Sequence, residues 1–334
     1  MKKCLLYNTD LKVSNICLGT TAFGITKSVE ESFEILDLFL EGGGNFIDTA
    51  NVYGRWGSDR DNKSEQVIGA WLKARNAYKE VVVATKGGHF DFEAPSVSRV
   101  TEADIRRDLD ESLATLGLSR IDFYWLHRDN PDLPVEYIID LMEALVSEGK
   151  IRFYGASNYP AQRLFAAKEY SRRKGYAGFS AVSNQWSLAG ANVNSDPDPS
   201  TVRTGAEEYR FHLETKTPLI PYTATARGFF DKLSRAKPEI TDGKILSADL
   251  PSLSDRLKNT YLNERNLRIY EELAVISKKT GFSVQALSLA YLLCQPFQVI
   301  PITSVSNTAQ FKDIFHASDI ILESGIIEKY KPQE

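Results

Sequence analysis

The chain has 334 residues, 43% hydrophobic and 25% charged, with a formal net charge of -4. That is globular composition, and its mild negative balance argues against nucleic acid or a membrane surface as a partner. Cys4, Cys17 and Cys294 lie far apart with no Cys-x-x-Cys pair, which excludes a disulfide framework or a zinc ribbon. Asn8 and Asp10 interrupt the N-terminus before any signal-peptide core forms, and no apolar run is long enough to span a bilayer. The expectation is a cytoplasmic protein.

In chain order, short apolar runs at 3–7 and 11–17 flank Asn8-Thr9-Asp10 and predict a β-hairpin. Ile16-Cys17-Leu18-Gly19 follows as the first buried strand. Ser28-Val29-Glu30-Glu31 is a capping-box start, Phe33, Leu36, Phe39 and Leu40 continue at helical spacing, and Gly42-Gly43-Gly44 ends the helix. The alternation then repeats. Strand-like runs lie at 46–48, 81–85, 121–126, 151–155, 181–185, 219–222 and 299–302. Helical patterns lie between them at about 64–74, 102–116, 135–148, 160–174, 205–215, 262–279 and 283–294, with Thr101 and Ser283 as N-caps. Val81-Val82-Val83-Ala84 and Phe123-Tyr124-Trp125-Leu126 are apolar on both faces, as parallel strands covered on both sides are.

Eight strands alternating with helices predict one α/β domain over 1–334, a (β/α)8 TIM barrel with an N-terminal β-hairpin. An open doubly wound sheet is the alternative. Its Gly-x-Gly-x-x-Gly fingerprint is missing after the first strand, which reads Gly19-Thr20-Thr21-Ala22-Phe23-Gly24, and no Walker loop occurs. Long excursions at 187–204 and 226–261 leave the C-terminal ends of strands six and seven, where barrel active sites are built.

Chemistry gathers at those strand ends. Strand two ends in Asp48, and Tyr53 follows on its loop; strand three ends in Lys86, and strand four in His127. A buried strand-end lysine needs a partner, and Asp48 on the neighbouring strand is the obvious one. Lys86 beside Tyr53 would favour phenolate, Asp48 would hold Lys86 charged, and His127 could orient a carbonyl or share a proton. Simpler readings stand beside this one. Asp48 and Lys86 could be only a buried ion pair. His89 reads first as a loop residue, His212 and His316 as structural helix residues, and Trp125 as barrel core. Arg128-Asp129 reads as a local pair, and the acidic loop at 196–198 as solvated. No His/Cys/Asp set has metal-ligand spacing, so no metal is expected.

The motifs resemble those of the aldo-keto reductases. The matching pieces are Leu18-Gly19-Thr20, Phe46-Ile47-Asp48-Thr49-Ala50 with Tyr53-Gly54, Thr85-Lys86, Leu126-His127-Arg128, Gly155-Ala156-Ser157-Asn158, Asn184-Gln185 and Pro221-Tyr222-Thr223, in the family's order from about residue 5 to 315. The resemblance implies a nicotinamide cofactor, NADP(H) or NAD(H), across the C-terminal face, and a small carbonyl or sugar substrate. It implies Tyr53 as the proton donor, assisted by Lys86, Asp48 and His127. Ser157, Asn158 and Gln185 would hold the carboxamide, and Tyr222 would stack on the nicotinamide ring. Gly19, Thr20, Thr21, Asp48, Thr223, Ala224 and Arg227 would line the cofactor, and Ser304, Ser306, Gln310 and Asp313 would meet its adenosine phosphate. Phe23, Trp56, His89, Trp186 and Phe229 are candidates for an apolar substrate pocket beside Tyr53 and His127. Where relatives carry Lys or Arg for the 2'-phosphate, this chain has Ser304, Ser306 and Gln310, so NADP and NAD both stay open. After Tyr222 the chain reads Thr-Ala-Thr where relatives have Ser-Pro-Leu, and little chain follows residue 325 to close over the site. The alternatives are a cofactor-binding, redox-sensing regulatory subunit, or a barrel isomerase or lyase. The sequence does not speak to oligomeric state.

Overall fold

The computed structural model describes residues 1–57, 60–193, 195, 198–246, 250–305 and 308–332. β1 (Lys3–Leu5) and β2 (Lys12–Ser14) form the antiparallel hairpin, and β3 (Cys17–Gly19) opens the parallel sheet. The alternation then runs α1 (Val29–Glu41), β4 (Phe46–Asp48), α2 (Lys63–Arg75), β5 (Val82–Gly87), α3 (Glu102–Leu116), β6 (Ile121–Leu126), α4 (Val135–Ser147), β7 (Ile151–Ser157), α5 (Ala161–Lys174), β8 (Val182–Ser183) and α6 (Ala206–Thr215). The excursion at 226–261 is structured. It holds a 3-10 turn (Ala226–Gly228), α7 (Phe229–Ala236), a small hairpin of β9 (Ile240–Thr241) and β10 (Lys244–Ile245), and α8 (Asp255–Tyr261). α9 (Glu264–Thr280), α10 (Val284–Leu293), β11 (Ile302–Thr303), α11 (Phe311–Ala317) and α12 (Ser324–Tyr330) complete the chain.

Local chemistry fixes the helix ends. Ser28 and Glu31 make the capping box reciprocally, and Thr101 and Ser283 accept from the backbone N–H three residues on. Gly117 and Gly175 end α3 and α5 in the left-handed region, at φ 68° and 72°.

Seven strands pair in parallel in the order β11-β3-β4-β5-β6-β7-β8. The segment at 219–222 closes the circle, with Leu219 bridging Val182 on one side and Val299 on the other. It is thinner than the predicted seventh strand because Pro218 and Pro221 have no N–H to give to a ladder. The result is the expected (β/α)8 barrel. Its interior packs Cys17, Phe46, Val82, Ala84, Phe123, Trp125, Ala181, Ile220 and Ile300. Leu6, Leu11 and Val13 of the hairpin plug one end of that interior. A larger apolar layer between sheet and helices surrounds it. The other end, where strands reach their C-termini, is left for polar side chains. Among the described residues, no helix is long and apolar enough to cross a membrane.

Candidate active site

The parallel register sets the site. Gly19 pairs with Asp48, Asp48 with Ala84, and Lys86 with Trp125, so neighbouring strand ends stand side by side. Asp48 and Lys86 are 2% and 3% exposed. Lys86 Nζ donates to Asp48 Oδ2 at 2.5 Å, to the Thr49 carbonyl at 2.7 Å and to Tyr53 Oη at 3.3 Å. Burial works against the Lys86 charge, but Asp48 and Tyr53 outweigh it and hold the ammonium above its ordinary value. Burial pushes the Asp48 carboxyl up, while Lys86 and then the Trp125 indole draw it back. Trp125 is fully buried in the barrel interior, as expected, against the Phe123 ring at 4.5 Å.

His127 is buried, with its ring edge-on to Tyr53 at 5.9 Å and to His89 at 4.8 Å. Burial first, then His89, Arg128 and Lys86, hold it well below the usual histidine value, so it is neutral at physiological pH. Burial and Arg128 likewise hold His89 down to about 4. Rings at the mouth form a circuit: Tyr53 to Trp56, Trp56 to Phe92, Phe92 to His89, His89 to His127 and His127 to Tyr53. Trp56 and Phe92 are 46% and 45% exposed there. Arg128 faces the same mouth, bonded to Asp198 Oδ2 at 2.6 Å and Ser200 Oγ at 2.8 Å.

Behind this lies a second polar layer that sequence reasoning missed. Glu65 of α2 is fully buried and accepts from Thr85 Oγ1 at 2.5 Å, one residue before Lys86, and from Asn62 Nδ2 at 2.8 Å. Burial pushes Glu65 up to about 7 against the pull of Thr85, Ser112 and Asn62. On the other side of Lys86, Asp108 accepts from the Gly88 N–H at 3.0 Å and pairs with Arg99. The β5 end is thus pinned on both sides of Lys86. Only the Asn62-x-x-Glu65 spacing hinted at this in the sequence.

A cleft of about 560 Å³ runs from this centre across the barrel mouth. Asp48, Tyr53, Lys86 and His127 all line it, and so do Gly19, Thr21, Ser157, Asn158, Tyr222, Thr223, Ala224, Arg227, Ser304, Gln310 and Asp313. Asn158, at φ 62°, donates to the His127 carbonyl at 3.1 Å and accepts from Tyr222 Oη at 2.6 Å. Ser157 Oγ donates to the Ser183 carbonyl, and Ser304 Oγ to the Gly19 carbonyl at 2.9 Å. A Cβ on Gly19 would come within 2.8 Å of Ile302, so glycine keeps the cleft floor open there. Thr223, Ala226 and Arg227 all take positive φ, which bends the chain after Tyr222 along the cleft.

Some sequence candidates stand elsewhere. Thr20 is buried behind the cleft, its hydroxyl donating to the Asp48 carbonyl at 2.9 Å. Phe23 and Phe229 belong to the apolar layer under the helices. Gln185 and Trp186 line a separate cleft of about 540 Å³ with Arg203, Arg265 and Tyr330, and the Trp186 ring packs on Tyr209, Tyr291 and Phe297. Trp186 is drawn there because the chain after β8 turns away from the mouth into that aromatic cluster. Ser306 lies outside the described residues. Unforeseen cleft residues are Thr201, Lys232, Gln285, Leu289 and Ile314. Among the described residues, no group of three or more His, Cys, Asp or Glu side chains gathers as a metal would require.

A barrel whose strand ends present Asp, Lys and His around a loop tyrosine defines an oxidoreductase class, and the comparison with known proteins agrees. The Aldo/keto reductase family model matches residues 15–329, and the chain belongs to that family. It is similar to the uncharacterized oxidoreductase YrpG of Bacillus subtilis, at 26% identity over 98% of this chain and 94% of that protein. It is also similar to an NADP(+) aryl-alcohol dehydrogenase of Phanerodontia chrysosporium, at 26% identity over 93% of this chain and 80% of the relative. A third relative is norsolorinic acid reductase B of Aspergillus parasiticus, at 26% identity over 93% and 78%. The chain is an oxidoreductase that uses NAD(P)(H) on a small molecule.

Proposed function

We propose that this protein reduces a carbonyl to an alcohol, or runs the reverse, with Tyr53 as the proton donor and acceptor. The observation that carries this is the Asp48–Lys86–Tyr53 chain of contacts on the cleft wall, with neutral His127 beside it. The donor set fits a nicotinamide dinucleotide: hydroxyls and amides of Ser157, Asn158 and Ser304, the Tyr222 ring, and the Arg227 and Lys232 cations all line one cleft. When bound, the nicotinamide supplies or takes up the hydride.

The protein's part is proton transfer and charge. Tyr53 Oη gives its proton to the carbonyl oxygen. Lys86, 3.3 Å away, stabilises the phenolate that remains. Asp48 keeps Lys86 ionised by compensating its charge in a buried place. His127 orients the carbonyl oxygen by hydrogen bonding and, being neutral, adds no charge.

The ring circuit around Tyr53 supports a substrate with a flat apolar face, and an aromatic aldehyde or ketone is the class to test first. Two of the relatives are an aryl-alcohol dehydrogenase and a norsolorinic acid reductase, which fits that choice. The polar side of the mouth, with Arg128, Ser200 and Thr201, makes sugars the second class. Three cysteines free of disulfides fit a reducing, cytoplasmic setting.

The test begins with fluorescence titration by NADPH and NADH. Saturable binding of either is expected; binding of neither sinks the reading. Tyr53→Phe should then bind cofactor as the wild type does and lose carbonyl reduction by about 10²-fold or more. Full activity in that variant would remove Tyr53 from the role.

A further inference from the structure

We propose that Gln285 reads the adenine edge of the dinucleotide, a role that rests on the nicotinamide-dependent reading above. Gln285 sits in the first turn of α10 and lines the cleft where it passes between α10 and α11. It is only 9% exposed, yet its Oε1 has no hydrogen-bond partner among the described residues. Neighbouring polar groups are satisfied. Ser283 Oγ accepts from the Ala286 N–H at 3.0 Å and donates to Asp313 Oδ1 at 2.6 Å. Ser288 Oγ donates to the Gln285 backbone carbonyl at 2.8 Å, so that carbonyl is used and the side chain is the open group.

A buried carboxamide with an empty acceptor lowers stability, and a methionine of similar length would fill the place without that cost. An amide retained there has its use in a ligand. The ligand's chemistry follows from the surroundings. Leu289, one helical turn on, and Ile314 across on α11 line the same stretch and offer apolar contact to a flat base. A carboxamide presents an acceptor beside a donor. The adenine edge presents an amino donor beside a ring-nitrogen acceptor, which is the complement. Gln285 would then add base selectivity to a site whose sequence lacks the basic residues usual for the 2'-phosphate.

The test uses calorimetric titration of the full chain with NADP+ and with 1,N6-etheno-NADP+, whose bridged ring has lost the amino hydrogens. Gln285→Met keeps the side-chain length, so any steric cost of the bridge is common to both proteins. The wild-type preference for NADP+ over the etheno analogue is expected to exceed that of Q285M by about five- to tenfold, the value of one hydrogen bond. The ligand-free Tm of Q285M should equal or exceed the wild-type Tm, because an unsatisfied buried amide has gone. An unchanged preference in Q285M overturns the proposal, and so does a Tm several degrees lower, which would make Gln285 a structural residue. If the wild type binds both dinucleotides with equal affinity, the adenine edge is not read and only this proposal falls. If it binds neither, the nicotinamide reading falls with it.

Discussion

At the scale of single residues, Lys86 decides most. Its ammonium is buried and holds a buried carboxylate, a backbone carbonyl and a phenol. Lys86→Met would leave Asp48 without its counter-charge in a dry place. The expected cost is about 3–5 kcal/mol of stability, read by urea unfolding, together with a large loss of carbonyl reduction. Asp48→Asn in that background removes the stranded charge and should return much of the stability and none of the activity. If the double variant is no more stable than K86M, the pair is not what holds this end of the barrel. The four residues around Tyr53 were legible in the sequence because each closes or follows an apolar strand, where a charged or polar side chain has a position to explain. Glu65 and Gln285 were not. Their buried, polar state is made by α2 against β5 and by α10 against α11, partners remote in sequence.

At the scale of elements, β6 and β7 are joined through a contact that admits no side chain. A Cβ on Gly155 would fall 2.5 Å from the Trp125 ring and 2.6 Å from the Ala181 carbonyl. Gly155→Ala should cost about 1–3 kcal/mol or more and shift the Trp125 ring, and with it the indole beside Asp48. Altered tryptophan emission together with reduced turnover is the expected result; a stable, fully active G155A would mean that the ring moves without reaching the site. Most elements were readable from period and caps: α3 spans Glu102–Leu116 as the pattern predicts, and α1 starts at its capping box. The seventh strand was not readable in its true form. Leu219 and Ile220 have strand chemistry, but Pro218 and Pro221 reduce their ladder to bridges. The excursion at 226–261 hid α7 and α8 because Pro238, Gly243 and Pro251 punctuate it, and those residues mark the joints between short elements, not an absence of them.

At the scale of the whole molecule, buried titratable groups set how stability answers to pH. Burial holds His89 and His212 down to about 4, and His127 well below its ordinary value. From pH 4 to about 6.5 the unfolded chain binds protons that the folded chain refuses, so each of the three adds stability as pH rises, about 1.4 kcal/mol per unit. Glu65 runs the other way. Its folded value is about 7, so between about 4.5 and 7 the folded chain keeps a proton that the unfolded chain has released, and stability falls with rising pH by a similar slope. With three histidines against one glutamate, the unfolding free energy should climb by about 3 kcal/mol per unit between pH 5 and 6.5. In Glu65→Gln the opposing slope is gone, and the climb should steepen to about 4 kcal/mol per unit. Urea midpoints taken across that range on both proteins read the difference directly. A wild-type profile that is flat or descends toward pH 6.5 would mean the histidines are not held neutral. Parallel profiles for the two proteins would mean that Glu65 is ionised behind β5, and that Thr85 then donates to a carboxylate one residue away from Lys86.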